Sequence, residues 1–302
     1  MMSLEELQTT FSSGNTIAFE QLENGIVLAK IDNSLATATV SLYGGHIVEW
    51  RPKHQAVPVL WRSRLVQFIP GKAIRSGVPV CWPWFGPHPT DPTLPSHGYA
   101  RVSPWQVTSV STGVTGATEI VMTMLETDSG RQQQDFFVRL TIRMVIADVL
   151  SISLTTTNLG KQDIVFTEAL HAYLNISDIA NVQVTGLNGC EYVDSTRGNV
   201  HERQSGPVTF SERLDRIYLN TKTDCLINDP GWARSIKVTK SGSLSTVVWN
   251  PWLATASKMD DLGHEGWRTM VCVESANALA NRSTVKAGAS HTLGVTYSVE
   301  NL

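Results

Sequence analysis

The chain has 302 residues, 42% hydrophobic and 17% charged, with 24 Lys and Arg against 27 Asp and Glu for a formal net charge of −3. That apolar fraction excludes a disordered or fibrous chain, and the length suffices to bury a large core without disulfide or metal staples. The slightly acidic balance, without a basic run, argues against a dedicated nucleic-acid binder, and no stretch approaches the ~18 uninterrupted apolar residues of a membrane-spanning helix.

In chain order, the N-terminal MMSLEELQTT has neither the basic nor the apolar region of a signal peptide, and Leu4–Phe11 reads as a short helix. Short strand-like runs follow at Thr16–Phe19, Ile26–Ile31, Ala36–Leu42 and Ile47–Trp50, punctuated by Gly, Asn, Asp, Ser or Pro. The segment Gln67–Pro104 breaks this rhythm, holding seven of the 13 prolines between Pro70 and Pro95. It also carries Trp82, Trp84, Phe85 and Tyr99, which a disordered linker rarely does, so an ordered, site-building loop is expected. Strand patterning resumes at Trp105–Val110 and Glu119–Leu125. In Phe136–Ile146, Val138, Leu140, Ile142, Met144 and Ile146 recur at period two, and Leu150, Ile152 and Leu154 repeat the pattern after a hairpin at Ala147-Asp148. Further runs lie at Ile164–Phe166, Val182–Thr185, Ile236–Thr239, Thr246–Trp249, Met270–Val273 and His291–Val299, while Leu253–Leu262 reads as a turn or two of helix. So many strands without helices of βαβ length predict an all-β fold, a large antiparallel β-sandwich with few short helices. No linker, repeat or low-complexity tract divides the chain, so one domain over residues 1–302 is expected.

Cys81, Cys190, Cys225 and Cys272 are scattered, with no CxxC pair. They read as small buried apolar residues in a reducing, cytoplasmic protein. GxGxxG after a strand, GxxxxGK[ST], GxSxG and HExxH are all absent, so nucleotide-dependent transfer, hydrolase-elbow and zincin chemistry lose their support and no cofactor is expected. His46, His54, His88, His97, Cys81 and Asp91 cluster loosely, but their spacings match no compact zinc pattern, and no metal is expected.

What remains is a set of polar residues in apolar strings: His171 in FTEALHAYLNI, Glu274 in TMVCVESANA, Arg75 in AIRSGVPVCWPWFG, His97 and Arg101 in SHGYAR, and Asp215 in RLDRIYL. Singly, each has a plain structural reading, as a hydrogen-bonded core histidine, a buried ion pair, surface arginines or a solvated aspartate. Together they suit a sugar. Trp82, Trp84 and Phe85 offer aromatic faces for the C–H surface of a pyranose. An imidazole and a carboxylate form an acid–base couple, and two arginines grip a phosphate through forked, charge-assisted hydrogen bonds.

The strings GVPVCWPWFG, LPSHGYARVSPW, EALHAYL and VCVESAN resemble the aldose 1-epimerase superfamily, and specifically its hexose-6-phosphate mutarotase (glucose-6-phosphate 1-epimerase) branch, over about Leu42–Tyr297. The resemblance implies a galactose-mutarotase-like sandwich, with His171 and Glu274 catalytic and Arg75, Arg101, Asp215, His97 and Trp82 binding substrate. Ser96 stands where members often have Gln before the HG dipeptide. The implied reaction has Glu274 take the anomeric hydroxyl proton while His171 protonates the ring oxygen, after which rotation about C1–C2 and reclosure give the other anomer. The implied partner is a small-molecule sugar phosphate, with neither nucleic acid nor membrane, and a monomer is expected. The rival readings are an aldose 1-epimerase of unphosphorylated sugar and a non-catalytic carbohydrate-binding sandwich. A glycoside hydrolase or lyase would need a second carboxylate, for which Asp215 or Glu168 stands available.

Overall fold

The computed structural model describes residues 2–12, 16–125 and 137–302. Phe136, the first residue of the longest alternating run, lies outside the described residues. From Val138 to Ile146 that run is a strand with every second residue buried, and it pairs with Leu150–Asn158 from Ile146↔Leu150 onward. The hairpin expected at Ala147-Asp148 is therefore a three-residue connection ending at Val149.

Two eight-stranded sheets dominate the structure, and all strand ladders are antiparallel. One runs in the order Gln183–Thr185, Cys225–Asp229, Arg234–Ser241, Ser290–Asn301, Leu150–Asn158, Val138–Ile146, Thr118–Met124, Trp105–Thr112. The other runs Val200–Arg203, Glu191–Asp194, Leu214–Leu219, Ser245–Asn250, Met270–Asn277, Glu168–Leu170, Val80–Cys81, with Tyr173–Asn175 also pairing to Met270–Asn277. A four-stranded meander, Ile17–Gln21 through His46–Pro52, packs onto the same core. The β-sandwich expected from the alternating patterns is thus the observed fold.

Its central layer is apolar from both sheets. Ile142, Leu154 and Val295 from the first sheet and Val248, Val271 and Val273 from the second belong to one buried cluster. Full burial of each such side chain stabilises by about 1.5–3 kcal/mol before entropy is counted. Where the two layers meet, Ser275 Oγ donates to Gly294 O at 3.1 Å, which satisfies a hydroxyl that burial would otherwise strand.

Leu4–Phe11 is a helix with a capping box: Glu6 N donates to Ser3 Oγ at 3.2 Å and Ser3 N to Glu6 Oε2 at 2.7 Å. Of Leu253–Leu262, only the beginning is helical, within Trp252–Ala256. Beyond it successive turns take over, Met259 N bonding Ala256 O and Leu262 N bonding Met259 O. Three of the cysteines are buried, Cys190 is half-buried, and all are free thiols. No helix among the described residues is long and apolar enough to cross a membrane.

Candidate active site

All eight residues of the strand Met270–Asn277 are buried, because both of its faces are covered. Val271 and Val273 point into the sandwich core, so Cys272, Glu274 and Ala276 share the opposite face. On the neighbouring strands that face carries Val247 and Trp249, then Asp215 and Ile217. The register sets Ile217, Val247 and Glu274 in one row and Asp215, Trp249 and Cys272 in the next.

His171 sits where a strand is interrupted. Leu170 pairs with Ser275 and Tyr173 with Cys272, but the residues between leave the ladder, and His171 N bonds Pro79 O at 3.0 Å. The imidazole lies nearly parallel to the Tyr173 ring, with centroids 4.9 Å apart at 17°. Its Nε2 is 3.4 Å from Glu274 Oε1. His171 Nδ1 and Glu274 Oε2 have no hydrogen-bond partner among the described residues.

The proline-rich segment closes over this pair. Gly98 has φ +73°, and a Cβ there would lie 2.0 Å from Trp82 O, so only glycine fits where the chain recrosses Trp82. The crossing turns His97 and Arg101 inward. His97 meets His171 edge-on at 5.6 Å and Phe85 at 4.9 Å. Together these groups line a cavity of about 940 Å³ that contains Arg75, His97, Arg101, His171, Asp215 and Glu274, with Phe85, Trp249 and Met259 as apolar wall.

Trp82 is the exception among the expected site residues. It is fully buried, edge-on to Tyr99 at 5.7 Å and tilted on Phe166 at 6.0 Å, and it does not line the cavity. The backbone crossing at Gly98 holds it beneath the loop, where its large ring packs the core. Trp84 is also turned away, its Nε1 donating to Pro95 O at 2.9 Å. Of the three aromatic residues expected to face a sugar, Phe85 alone lines the cavity; Trp249, unselected in the sequence, supplies the second ring. Alternation with Val247 along Thr246–Trp249 was the available signal. Ser96 lines the cavity and its carbonyl accepts from Arg101 Nη2 at 2.6 Å.

Two further residues escaped sequence reasoning. Asp261 accepts from Arg75 Nε through both oxygens, at 2.9 and 3.1 Å, and Arg75 Nη1 donates to Tyr173 Oη at 3.3 Å. Nothing local marks either as a partner of Arg75. Arg101, by contrast, forms no ion pair with the described residues.

The charges act on one another. Burial, reinforced by Arg101 and Arg75, pulls His171 down to about 3. Burial, Arg101, His171 and Arg75 hold His97 well below the usual imidazole range. Burial pushes the Glu274 carboxyl well up, the charge of Asp215 adds to this, and Arg101 opposes it. Asp215 is itself raised by burial against the pull of Arg213, 3.6 Å away. Both shifts favour the neutral forms, an unprotonated imidazole beside a protonated carboxyl. His171, Cys272 and Glu274 also present ligand atoms within 4.8 Å of one another. The arginines beside them add positive charge, which opposes a cation there.

Residues 28–298 match the sequence profile of the family described as aldose 1-epimerase. The chain belongs to the aldose 1-epimerase family. This family member is 35% identical over 266 residues, 87% of each chain, to a protein of Escherichia coli (strain K12) that carries the provisional name glucose-6-phosphate 1-epimerase. Its fold matches a crystal structure from Salmonella typhimurium, provisionally named a mutarotase, with TM-score 0.89 and 30% identity over 97% of this chain and 96% of that one. A galactose mutarotase-like protein from Lactobacillus casei shares the fold alone, with TM-score 0.69 and 16% identity over 90% of this chain and all of that one.

Proposed function

We propose that this aldose 1-epimerase family member interconverts the α and β anomers of a hexose 6-phosphate, glucose 6-phosphate in the first instance, by opening and reclosing the ring at the His171–Glu274 pair. The reading rests on one observation above the others: Nε2 of His171 and Oε1 of Glu274 stand 3.4 Å apart in a cavity that two arginines share. The anomeric oxygen and the ring oxygen of an aldose are bonded to the same carbon, so a close acid–base pair addresses both without moving.

Opening needs a base at the anomeric hydroxyl and an acid at the ring oxygen. With one proton between them, Glu274 as carboxylate takes the hydroxyl proton while His171 as imidazolium gives one to the ring oxygen. The C1–O5 bond breaks as the carbonyl forms, rotation about C1–C2 presents the other face, and the reverse transfers close the ring. A phosphate dianion against Arg101 and Arg75 cancels part of the positive field that depresses His171, which moves the shared proton toward the imidazole. The substrate's own charge thereby loads the acid. Asp215 and His97 bind sugar hydroxyls, and Phe85 and Trp249 pack against C–H faces. The reading takes the chain as a single domain, since one buried cluster draws on both large sheets and the meander, and as a cytoplasmic monomer.

The test is NMR exchange between the α and β anomeric protons of glucose 6-phosphate at equilibrium, with and without a catalytic amount of protein. Accelerated exchange for the phosphorylated sugar and little for glucose is expected. No acceleration on either sugar, with folded protein, would remove the proposal. The Arg75–Asp261 pair favours one alternative, since it already balances one of the two guanidinium charges. Equal acceleration on glucose would establish that alternative, an epimerase of unphosphorylated sugar.

A further inference from the structure

A second polar cavity, of about 570 Å³, opens where the turn between Arg234–Ser241 and Ser245–Asn250 meets the segment after Met270–Asn277. Its basic groups are Lys222, Lys240, Arg282 and His291, and no Asp or Glu lines it. In a chain of net charge −3 that is a local reversal of sign. Lys222, Lys240 and Arg282 form no ion pair with the described residues. His291 is balanced from behind, its Nε2 2.9 Å from Oε1 of the buried Glu168.

Lys240 carries the argument furthest. Its ammonium is partly buried and touches only neutral oxygens: Thr221 Oγ1 at 2.8 Å, Ser243 Oγ at 3.2 Å and Ser245 O at 2.9 Å. Removing a cation from water without a counter-ion costs free energy, and burial accordingly pulls its pKa down to about 8. Ser241, Ser283 and Thr284 line the same space, Ser283 Oγ donating to the buried Glu168 Oε1 at 3.3 Å. Lys240, Lys222 and Arg282 thus face a shared space with no carboxylate among its lining residues, which leaves their positive charge without a counter-ion there.

We propose that this cavity binds a phosphate-bearing small anion at a site distinct from the catalytic cavity. The two share no lining residue, but Leu279 and Ala280 wall the catalytic cavity while Asn281 and Arg282 wall this one, so one short segment separates them. Lys240 and Arg282 contact the phosphoryl oxygens, with Lys222 at the rim. The proposal does not depend on the reaction assigned to the catalytic cavity.

The test is calorimetric titration with inorganic phosphate and with pyrophosphate, on the Arg101→Ala background, which leaves the catalytic cavity only Arg75, already paired with Asp261. One binding site is expected to survive that change. Adding Arg282→Ser is expected to weaken it about tenfold or more, the scale of one charge-assisted hydrogen bond, and adding Lys240→Met should abolish it. Arg282 is exposed, so its variant stays folded even if the Lys240 variant does not. Loss of all binding in Arg101→Ala alone, affinity unchanged by Arg282→Ser, or acetate binding as tightly as phosphate would each overturn the proposal.

Discussion

Asp261 grips Arg75 through both carboxylate oxygens, at 2.9 and 3.1 Å from Nε, across 186 positions of sequence. The pair fixes the guanidinium's direction at the wall of the cavity. Both side chains remain about a quarter exposed, so the pair contributes positioning more than stability. In Asp261→Asn, we expect KM for glucose 6-phosphate to rise several-fold with kcat less affected, and the thermal midpoint nearly unchanged. Saturation curves of the anomeric exchange rate check this; a fall in kcat at constant KM would place Asp261 elsewhere in the mechanism.

Glu274→Gln should keep the fold, since the amide is isosteric and the position already favours a neutral side chain. Turnover should fall by ~10²–10⁴, the usual contribution of a positioned acid or base. Exchange NMR and near-UV circular dichroism on the same sample separate the two readouts. Near-full activity would take Glu274 out of the chemistry.

The protonation of His171 can be read directly. Burial, Arg101 and Arg75 hold it near 3 in the empty site, so its ring nitrogens should keep the ¹⁵N shifts of a neutral imidazole far below the ordinary pKa of about 6.5. Glucose 6-phosphate should move those shifts toward imidazolium at constant pH. An unliganded His171 that titrates near the ordinary value would contradict the field described here.

Acid stability follows from the buried imidazoles by sign. His46 is pulled down to about 3, by burial first, and His97 lies well below its usual range, while the lowered His171 is offset by the raised carboxyl of Glu274. The folded pKa values of His46 and His97 lie below the unfolded one of about 6.5, so between those limits the unfolded chain binds more protons. Stability is fully present above the unfolded value and declines as pH falls below it. Denaturant midpoints measured downward from neutral pH should fall, and His46→Phe should reduce the slope by about one proton.

Trp82→Phe should lower stability, because a fully buried indole loses volume against Tyr99 and Phe166, while the KM for sugar stays unchanged. Gly98→Ala should be worse, costing on the order of 1–3 kcal/mol or more, since a Cβ meets Trp82 O at φ +73°. Thermal melts with exchange kinetics distinguish the two; a raised KM in Trp82→Phe would return that ring to the site.

The strands easiest to read were those with one face toward the core, such as Val138–Ile146, because alternation survives where the other face meets water. Short strands around the site, among them Glu168–Leu170, Tyr173–Asn175, Glu191–Asp194 and Leu214–Leu219, passed unmarked. They belong to a sheet covered on both sides or hold only three or four residues, so no period stands out. His171 and Glu274 were legible because a titratable group in an apolar string has few inexpensive explanations.

From the sequence alone came the all-β class, the chemical types in the site and the proline-rich segment that carries Arg75, His97 and Arg101 among its lining residues. These follow from local periodicity and from the cost of burying charge, which each residue carries with it. Only the tertiary structure decided that Trp82 belongs to the core, that Trp249 takes its place and that Asp261 aims Arg75. Which face a ring presents and which distant carboxylate meets a guanidinium depend on strand register and on a backbone crossing at Gly98, and no short window of sequence contains either.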